Sequence, residues 1–202
     1  TPPESFPGKL LAYLYRRYQV FNGDKQKGMV IIPTELIVDN GSALKAILLE
    51  LAKQNDLESS FVEWLSNSNY FCNSLVDRIV PGKLSAENQE KMETELGYRD
   101  ELMIMCELYR LWAIEVREPG VAEILSFRQA DDGVVLARDI GVYRELKLRL
   151  LNGSHTFSCG LAHLCGFTTV REAMDDKSFS KYLTSLMMKE IVPAITNDQI
   201  SS

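Results

Sequence analysis

"GMVIIPTELIVDNGSALKAILLELAKQ", residues 28–54, places a short apolar run, a polar turn and a longer apolar-periodic stretch one after another. The run MVIIPTELI is continuous rather than alternating, which is typical of a strand buried on both faces of a parallel sheet. The turn VDNGS follows it, and ALKAILLELAKQ has the apolar spacing of a helix. These residues predict a strand–loop–helix unit.

Further elements of both kinds surround this unit. Apolar residues at helical spacing predict a first helix in SFPGKLLAYLYRRYQVF, and Ser85 and Gly97 are a suitable N-cap and C-cap for a polar helix between them. Three more apolar stretches predict strands: NYFCNSLVDRIVPG, LYRLWAIEV and GVVLARDI. Alternating strands and helices predict an α/β fold on a largely parallel sheet.

The pattern changes after about Ile140. VYRELKLRLLNGSHTFSCGLAHLCG predicts a long helix that ends at Gly166, and TTVREAM and SFSKYLTSLMMKEIVPAI predict two more helices, the last ending near Pro193. No strand pattern follows residue 140. We therefore predict a domain boundary there, with an α/β part at 1–140 and an all-α part at 141–202.

Composition narrows the class of protein. The 202 residues have a net charge of −6 without a basic block, which argues against a nucleic-acid partner. The apolar runs are too short for a membrane span of about 20 residues, so no membrane association is expected. Four cysteines without a CxxC pair favour a reduced, cytoplasmic setting. The first residue is not methionine, which suggests a piece of something longer, and the sequence gives no indication of an oligomeric state.

The stretch 147–165 contains both histidines of the chain, and His155, Cys159 and His163 recur every four residues. On a helix they share one face, and His and Cys are zinc ligands. Successive steps of four rise about 6 Å, however, so one ion cannot take all three side chains. We therefore expect no metal, with Cys159 and Cys165 as small buried packing residues. A non-enzymatic helical interaction module with a His/Cys metal site is the alternative from another class.

Lys147, Asn152 and His155 form a second pattern in the same stretch. On an α-helix Asn152 lies about 140° from Lys147, and His155 about 80° from Lys147, so all three can border one cleft. A lysine can exchange a proton, and the amide and imidazole can bind a developing alkoxide. This set suits the interconversion of an alcohol and a ketone. Gly153 and Gly160 predict places where another backbone or a ligand comes close.

Two segments resemble the hallmarks of the polyol-specific long-chain dehydrogenases, the mannitol dehydrogenase family. One is KLRLLNGSH followed by CGFTTVREAMDD, and the other is NSLVDRIVP. Within the family, SFPGKL, IIPTELIVDNG and FVEWLSNSNYFCNSLVDRIV most resemble tagaturonate reductases (altronate oxidoreductases). That branch tends to have Pro-Cys-Glu-Leu where this chain has Pro33 to Leu36, so Thr34 departs from it.

The resemblance implies a fold, a cofactor and roles for four residues. Residues 1–140 would be the C-terminal part of a Rossmann-like domain, and 141–202 the beginning of a helical substrate domain. NAD would be the cofactor and a small sugar acid the substrate, without metal. Lys147 would be the general acid/base, Asn152 an oxyanion donor, and His155 the residue that orients the reacting oxygen. Asn40 would be a second oxyanion donor, although a turn or helix cap in DNGS explains it equally well.

The resemblance also leaves alternatives open. Fructuronate reductase and mannitol 2-dehydrogenase belong to the same family and are alternative activities. The sequence contains no GxGxxG phosphate loop, so no cofactor-binding residue is assigned. Arg144 and Arg149 are possible partners of a substrate carboxylate, but exposed helical arginines are usually solvated. The Asp77-Arg78 pair either lines the cofactor cleft or, as we favour, braces the sheet against the helical domain.

Overall fold

The computed structural model describes residues 3–195. The chain forms two compact units, residues 1–138 and 139–202, and each is described by itself. The helices of the first unit are α1 (Phe6–Val20), α2 (Asn40–Gln54), α3 (Ser59–Asn67), α4 (Ala86–Leu96) and α5 (Pro119–Ile124). Its strands are β1 (Val30–Ile31), β2 (Tyr70–Phe71), β3 (Ser74–Asp77), β4 (Leu111–Glu115) and β5 (Val134–Ala137).

The five strands form two small sheets. β1 pairs with β2 in parallel, and the second sheet has the order β3–β4–β5. β4 and β5 are parallel, as expected, but β3 and β4 are antiparallel. The segment that joins β3 to β4 contains α4. A parallel pair is usually joined by a helix that packs on the sheet, whereas every residue of α4 is at least partly exposed. An α/β fold is confirmed, with this antiparallel pair as the departure from the expected parallel order.

The first predicted strand is much shorter than the apolar run that suggested it. Only Val30–Ile31 is extended in a ladder, whereas the run extends to Ile37. Pro33 lacks the N–H that a ladder requires, so pairing stops just before it. Beyond it the chain forms a loop in which Leu36 is 84% exposed. The loop then leads directly into α2.

The hydrophobic core of the first unit lies mainly among α1, α2 and α3. Residues three and four apart on each helix point inward, as the sequence periodicity predicts. Phe61 is fully buried, and its ring lies 4.9 Å from that of Tyr15 and 5.3 Å from that of Tyr18. A second cluster joins the sheet to α5 through Cys72, Ile114, Val116, Val121 and Leu125.

The ends of α4 are those predicted from sequence. The Ser85 hydroxyl accepts a hydrogen bond from the backbone N–H of Asn88 at 3.3 Å. Gly97 ends the helix at a φ of +76°, a left-handed conformation that glycine adopts without steric cost. Both cap predictions are confirmed.

The second unit is helical throughout its described residues. It consists of α6 (Gly141–Leu146), a π-helical segment (Lys147–Asn152), α7 (Gly153–Leu164), α8 (Val170–Asp175), α9 (Lys177–Leu186), a second π-helical segment (Met187–Ile191) and a 3₁₀ turn (Val192–Ala194). Gly166 follows α7 at a φ of +89°, so the predicted terminator is confirmed. Within residues 3–195 no helix is both long and apolar enough to cross a membrane.

Within residues 3–195 no backbone from outside their own helix approaches the two helix glycines, and the approach of a ligand there stays a prediction. Among the described atoms, a Cβ added at Gly160 meets nothing within 4 Å, and one at Gly153 meets only the Leu148 carbonyl oxygen at 3.4 Å. A glycine inside a helix destabilises it by about 0.5–1 kcal/mol relative to alanine. We therefore expect Gly160→Ala to raise the free energy of unfolding by about that amount in urea denaturation followed by circular dichroism.

Gly166→Ala is the matched control for this prediction. At the left-handed Gly166 a Cβ is strained, so this variant should lower the free energy of unfolding. Stabilisation by both variants, or by neither, would contradict the interpretation.

Candidate active site

The residues predicted to react lie on one continuous helix of the second unit. Lys147 begins the first π segment, Asn152 ends it, and His155 lies in the first turn of α7. The amide N–H of Gly153 donates to the carbonyl of Leu148, a bond from residue i+5 to residue i. The segment is therefore wider than the α-helix that the sequence predicted.

The π segment changes the angle between Lys147 and Asn152. In an α-helix residues five apart are offset by about 140°. A turn closed by an i+5 bond contains more residues than an α-helical turn, so residues five apart are offset by less than in an α-helix. The predicted α-helical offset is thus wrong, and the helix presents Lys147 and Asn152 on more nearly the same side.

The three side chains differ in exposure. Lys147 is half-buried, and Asn152 and His155 are exposed. The buried positions of this stretch are Ser154 and Ser158, which are 6% and 8% exposed. The amide and the imidazole are therefore accessible to a ligand, and the packed side of the helix is made of serines.

A groove of about 550 Å³ runs along α7 and is bordered on its other sides by α8, α9 and the loop after α7. His155, Cys159 and His163 all line it, as their four-residue spacing predicts. Lys147 and Asn152 are not among its lining residues. Within residues 3–195 no group of three His, Cys, Asp or Glu side chains is arranged to hold a metal ion.

The cysteines are placed differently from the prediction. Cys159 and Cys165 are exposed rather than buried, because they lie on the groove side and at the end of α7. The buried cysteine is Cys72, at the carboxyl end of β2. Burial, with smaller contributions from Glu118 and Glu115, raises the pKa of the Cys72 thiol to about 11.

This difference predicts the order of thiol labelling. A raised pKa leaves Cys72 almost entirely as the unreactive thiol at mildly alkaline pH. Brief treatment of the folded protein with a disulfide reagent should modify Cys106, Cys159 and Cys165 and leave Cys72 intact, as peptide mass spectrometry would show. In urea all four should react. Equally rapid labelling of Cys72 in the folded protein would contradict the structure.

Asn40, the fourth predicted residue, belongs to the first unit and begins α2. Its side chain is 3% exposed. The amide nitrogen donates to the carbonyls of Pro33 and Glu35 at 3.0 Å and of Ser74 at 3.1 Å. The amide oxygen accepts from the backbone N–H groups of Gly41 and Ser74, both at 2.9 Å. These contacts support a brace between the loop and β3, and the oxyanion role stays a prediction.

Asp77 and Arg78 lie at the end of β3 and border a cavity of about 420 Å³. The Arg78 guanidinium donates twice to the carbonyl of Glu107, at 3.0 and 2.8 Å. Arg78 therefore braces the strand end against the loop before β4, within its own unit. In the same cavity, a hydrogen bond from Arg110, together with one from the Gly133 N–H, holds the pKa of Asp131 below its usual range.

Sequence reasoning missed the role of one arginine. Arg149 forms an ion pair with Glu145 at 2.6 Å and donates to the carbonyl of Ala194 at 3.1 Å. The Glu-to-Arg spacing of four residues is a recognised helical pair and could have indicated the first contact. The second contact joins residues 45 positions apart and has no local sequence signal.

Two glycines that could have made room for a phosphate are occupied by the protein itself. Gly41 lies in the first turn of α2, but a Cβ there would lie 2.6 Å from the carbonyl carbon and oxygen of Cys72. This glycine therefore allows helix and strand to touch. A Cβ at Gly28 would likewise clash with the carbonyl oxygen of Ser68.

Family models cover both units. The mannitol dehydrogenase Rossmann domain matches residues 4–123, and the mannitol dehydrogenase C-terminal domain matches residues 139–201.

Curated relatives match nearly the whole chain. An altronate oxidoreductase of Bacillus subtilis (strain 168) is 40% identical over 99% of this chain and 41% of its own length. Another, from Pectobacterium carotovorum subsp. carotovorum (strain PC1), is 40% identical over 100% of this chain and 41% of its own length. The chain thus spans about two fifths of the length of these relatives.

Solved structures show the same fold. A D-sorbitol dehydrogenase in substrate-free form superposes with a TM-score of 0.76 at 24% identity, covering 99% of this chain and 39% of that one. A Pseudomonas fluorescens mannitol 2-dehydrogenase, in a ternary complex with NAD and D-mannitol, superposes with a TM-score of 0.66 at 25% identity, covering 98% of this chain and 38% of that one.

Proposed function

The chain belongs to the mannitol dehydrogenase family, and we propose that it forms part of an NAD-dependent oxidoreductase that interconverts D-tagaturonate and D-altronate. The observation that supports this substrate pair is the identity of about 40% to altronate oxidoreductases over nearly the whole chain. In this proposal residues 1–140 are the C-terminal portion of the dinucleotide-binding domain, and 141–202 begin the helical substrate domain.

The proton chemistry of the reaction is assigned to the helix of the second unit. Reduction of a ketone adds a hydride, which is the cofactor's chemistry, and a proton. Lys147 donates that proton to the carbonyl oxygen and accepts it again in the oxidation of the alcohol. The exposed amide of Asn152 and imidazole of His155 donate hydrogen bonds to the oxygen while it is negatively charged. The π segment supports this assignment because it brings Lys147 and Asn152 toward one side.

No cofactor-binding residue is proposed in this chain, because its sequence contains no GxGxxG phosphate loop. Fructuronate reductase and mannitol 2-dehydrogenase are the alternative activities. The similarity to a mannitol 2-dehydrogenase structure favours testing the second of these directly.

A comparison of substrates tests the proposal. The polypeptide that carries this chain is incubated with NADH and, separately, D-tagaturonate, D-fructuronate or D-fructose, and oxidation of NADH is followed by absorbance. We expect kcat/KM for D-tagaturonate to exceed kcat/KM for the other two substrates by at least about 10²-fold. An active site discriminates strongly against a substrate that leaves its buried polar groups without hydrogen-bond partners. A faster reaction with D-fructuronate or D-fructose would assign the alternative activity, and no oxidation with any of them would overturn the proposal.

The metal-binding alternative has its own test. Metal analysis of the purified protein and of a His163→Ala variant should find no stoichiometric zinc in either, because the described His and Cys side chains form no three-ligand group. Stoichiometric zinc that disappears with His163→Ala would support the interaction module instead.

A further inference from the structure

The helix that holds Lys147 and Asn152 lies against a second π-helical segment. This second segment, Met187–Ile191, extends α9 and is in contact with the first segment, Lys147–Asn152. π-helical turns are rare and occur mostly as short insertions at functional sites. An unusual backbone of this kind persists only where its surroundings hold it.

Arg149, in the middle of the first π segment, contacts the turn that follows the second one. Its Nε lies 2.6 Å from Oε2 of Glu145, one turn earlier on the same helix. Its Nη1 donates to the carbonyl of Ala194 at 3.1 Å. Ala194 is the last residue of the 3₁₀ turn that follows the second π segment.

The Ala194 carbonyl is well suited to hold a cation. The last carbonyls of a helix have no partner within it and have a partial negative charge. A guanidinium stays protonated at every relevant pH, and its fork can bind a carboxylate and a carbonyl together. Arg149 therefore ties the helix of Lys147 and Asn152 to the end of the neighbouring one.

Two hydroxyl groups near the end of the segment add bonds within the same helix. The Ser154 hydroxyl donates to the carbonyl of Leu151, and the Thr156 hydroxyl donates to the carbonyl of Asn152, both at 2.9 Å. These bonds satisfy carbonyls where the π segment returns to α-helix, but they stay within one helix. The Arg149–Ala194 bond, in contrast, fixes the segment to a second element.

The register of this segment decides where Asn152 points. If the π turn relaxed into an α-helix, the residues after it would shift by one position and rotate by about 100° relative to those before it. Asn152 would then lie at the wider α-helical offset of about 140° from Lys147. A misplacement of about 1 Å can lower a rate 10²-fold.

We infer that Arg149 is a positioning residue, which holds the π register that aligns Lys147 with Asn152 and His155. The meaning of this alignment for catalysis rests on the proposed function. In this inference Arg149 acts through the register of the segment, because its guanidinium is engaged by the Glu145 carboxylate and the Ala194 carbonyl.

The test compares Arg149→Gln and Arg149→Lys with Arg171→Gln, in which an exposed arginine on α8 is changed. Backbone hydrogen exchange is measured at the Gly153 amide, the donor of the i+5 bond, and kcat and KM are measured with D-tagaturonate and NADH. In Arg149→Gln we expect exchange at Gly153 to rise at least about tenfold while amides of the first unit stay unchanged. We expect kcat to fall roughly 10²-fold, with KM within about twofold of its original value.

Arg149→Lys keeps the charge but loses the fork, so both values should lie between those of Arg149→Gln and the original protein. Arg171→Gln should change neither. Unchanged exchange at Gly153 in Arg149→Gln would overturn the inference, as would faster exchange with kcat unaffected. A protein without dehydrogenase activity in any variant would contradict the proposed function, and exchange at Gly153 would still decide whether Arg149 holds the turn.

Discussion

Replacing Lys147 by alanine should lower kcat about 10²–10⁴-fold in both directions of the reaction, the usual contribution of a positioned general acid/base. The half-buried lysine is the proposed proton donor to the ketone oxygen and the proposed acceptor from the alcohol. Its removal leaves water to perform both transfers. Because the lysine acts mainly in the transition state, KM should change much less than kcat.

Steady-state kinetics with NADH and D-tagaturonate measure this effect, and single-turnover experiments separate it from product release. Lys181→Ala, which removes an exposed lysine from α9, is the matched control and should keep full activity. Lys147→Arg should not restore activity, because a guanidinium does not release its proton near neutral pH. A small primary amine added to Lys147→Ala should restore part of the rate. An unchanged single-turnover rate in Lys147→Ala would show that the lysine assignment is wrong.

The elements that the sequence predicted well are those defined by residues close together in the chain. The caps at Ser85 and Gly97 and the terminator Gly166 are local, since each depends on one side chain or on one left-handed backbone position. Apolar periodicity predicted the α1–α3 core for the same reason. The order of helices and strands was therefore readable from the sequence alone.

The failures come from contacts between distant residues or from small changes of backbone geometry. Apolar periodicity over six residues does not distinguish a π segment from an α-helix, so the alignment of Lys147 and Asn152 was not predicted. Strand length in IIPTELI depends on Pro33, because its missing N–H ends the ladder whatever the apolar residues beyond it. The antiparallel pairing of β3 with β4 goes with a connection whose helix, α4, has no buried residue.

The candidate site was therefore predicted in its residue types more fully than in its geometry. Lys147, Asn152 and His155 were identified by spacing and by resemblance, and the structure places them on one helix. The groove beside His155 and the contact between Arg149 and Ala194 require the fold of α7 to α9. The same holds for Asn40, whose partners come from a loop and from a strand 34 residues further along the chain.

Replacing Asn40 by alanine should lower the free energy of unfolding by about 3–5 kcal/mol, which is among the largest effects of single substitutions. The side chain is buried and hydrogen-bonds to five backbone groups, namely the carbonyls of Pro33, Glu35 and Ser74 and the N–H groups of Gly41 and Ser74. Of these, the Pro33 carbonyl keeps a second donor, the Ser74 hydroxyl. A buried polar group that loses its partner destabilises a protein by about 1–3 kcal/mol. Water can reach only some of these groups, so the total stays below the sum.

Urea denaturation of the variant measures this effect, with Asn88→Ala on the exposed face of α4 as a matched control expected within about 0.5 kcal/mol of the original protein. Asn40→Asp refines the test, because its carboxylate would face three carbonyl oxygens that now receive hydrogen bonds. That repulsion raises the pKa of the new carboxyl in the folded state above its unfolded value, so Asn40→Asp should be least stable at neutral pH and regain stability as the pH falls and the carboxyl is protonated. A fully stable Asn40→Ala with a greatly reduced kcat would instead support the oxyanion role. A bracing role changes the free energy of unfolding, whereas an oxyanion role changes only kcat. The two measurements together therefore decide which role Asn40 has.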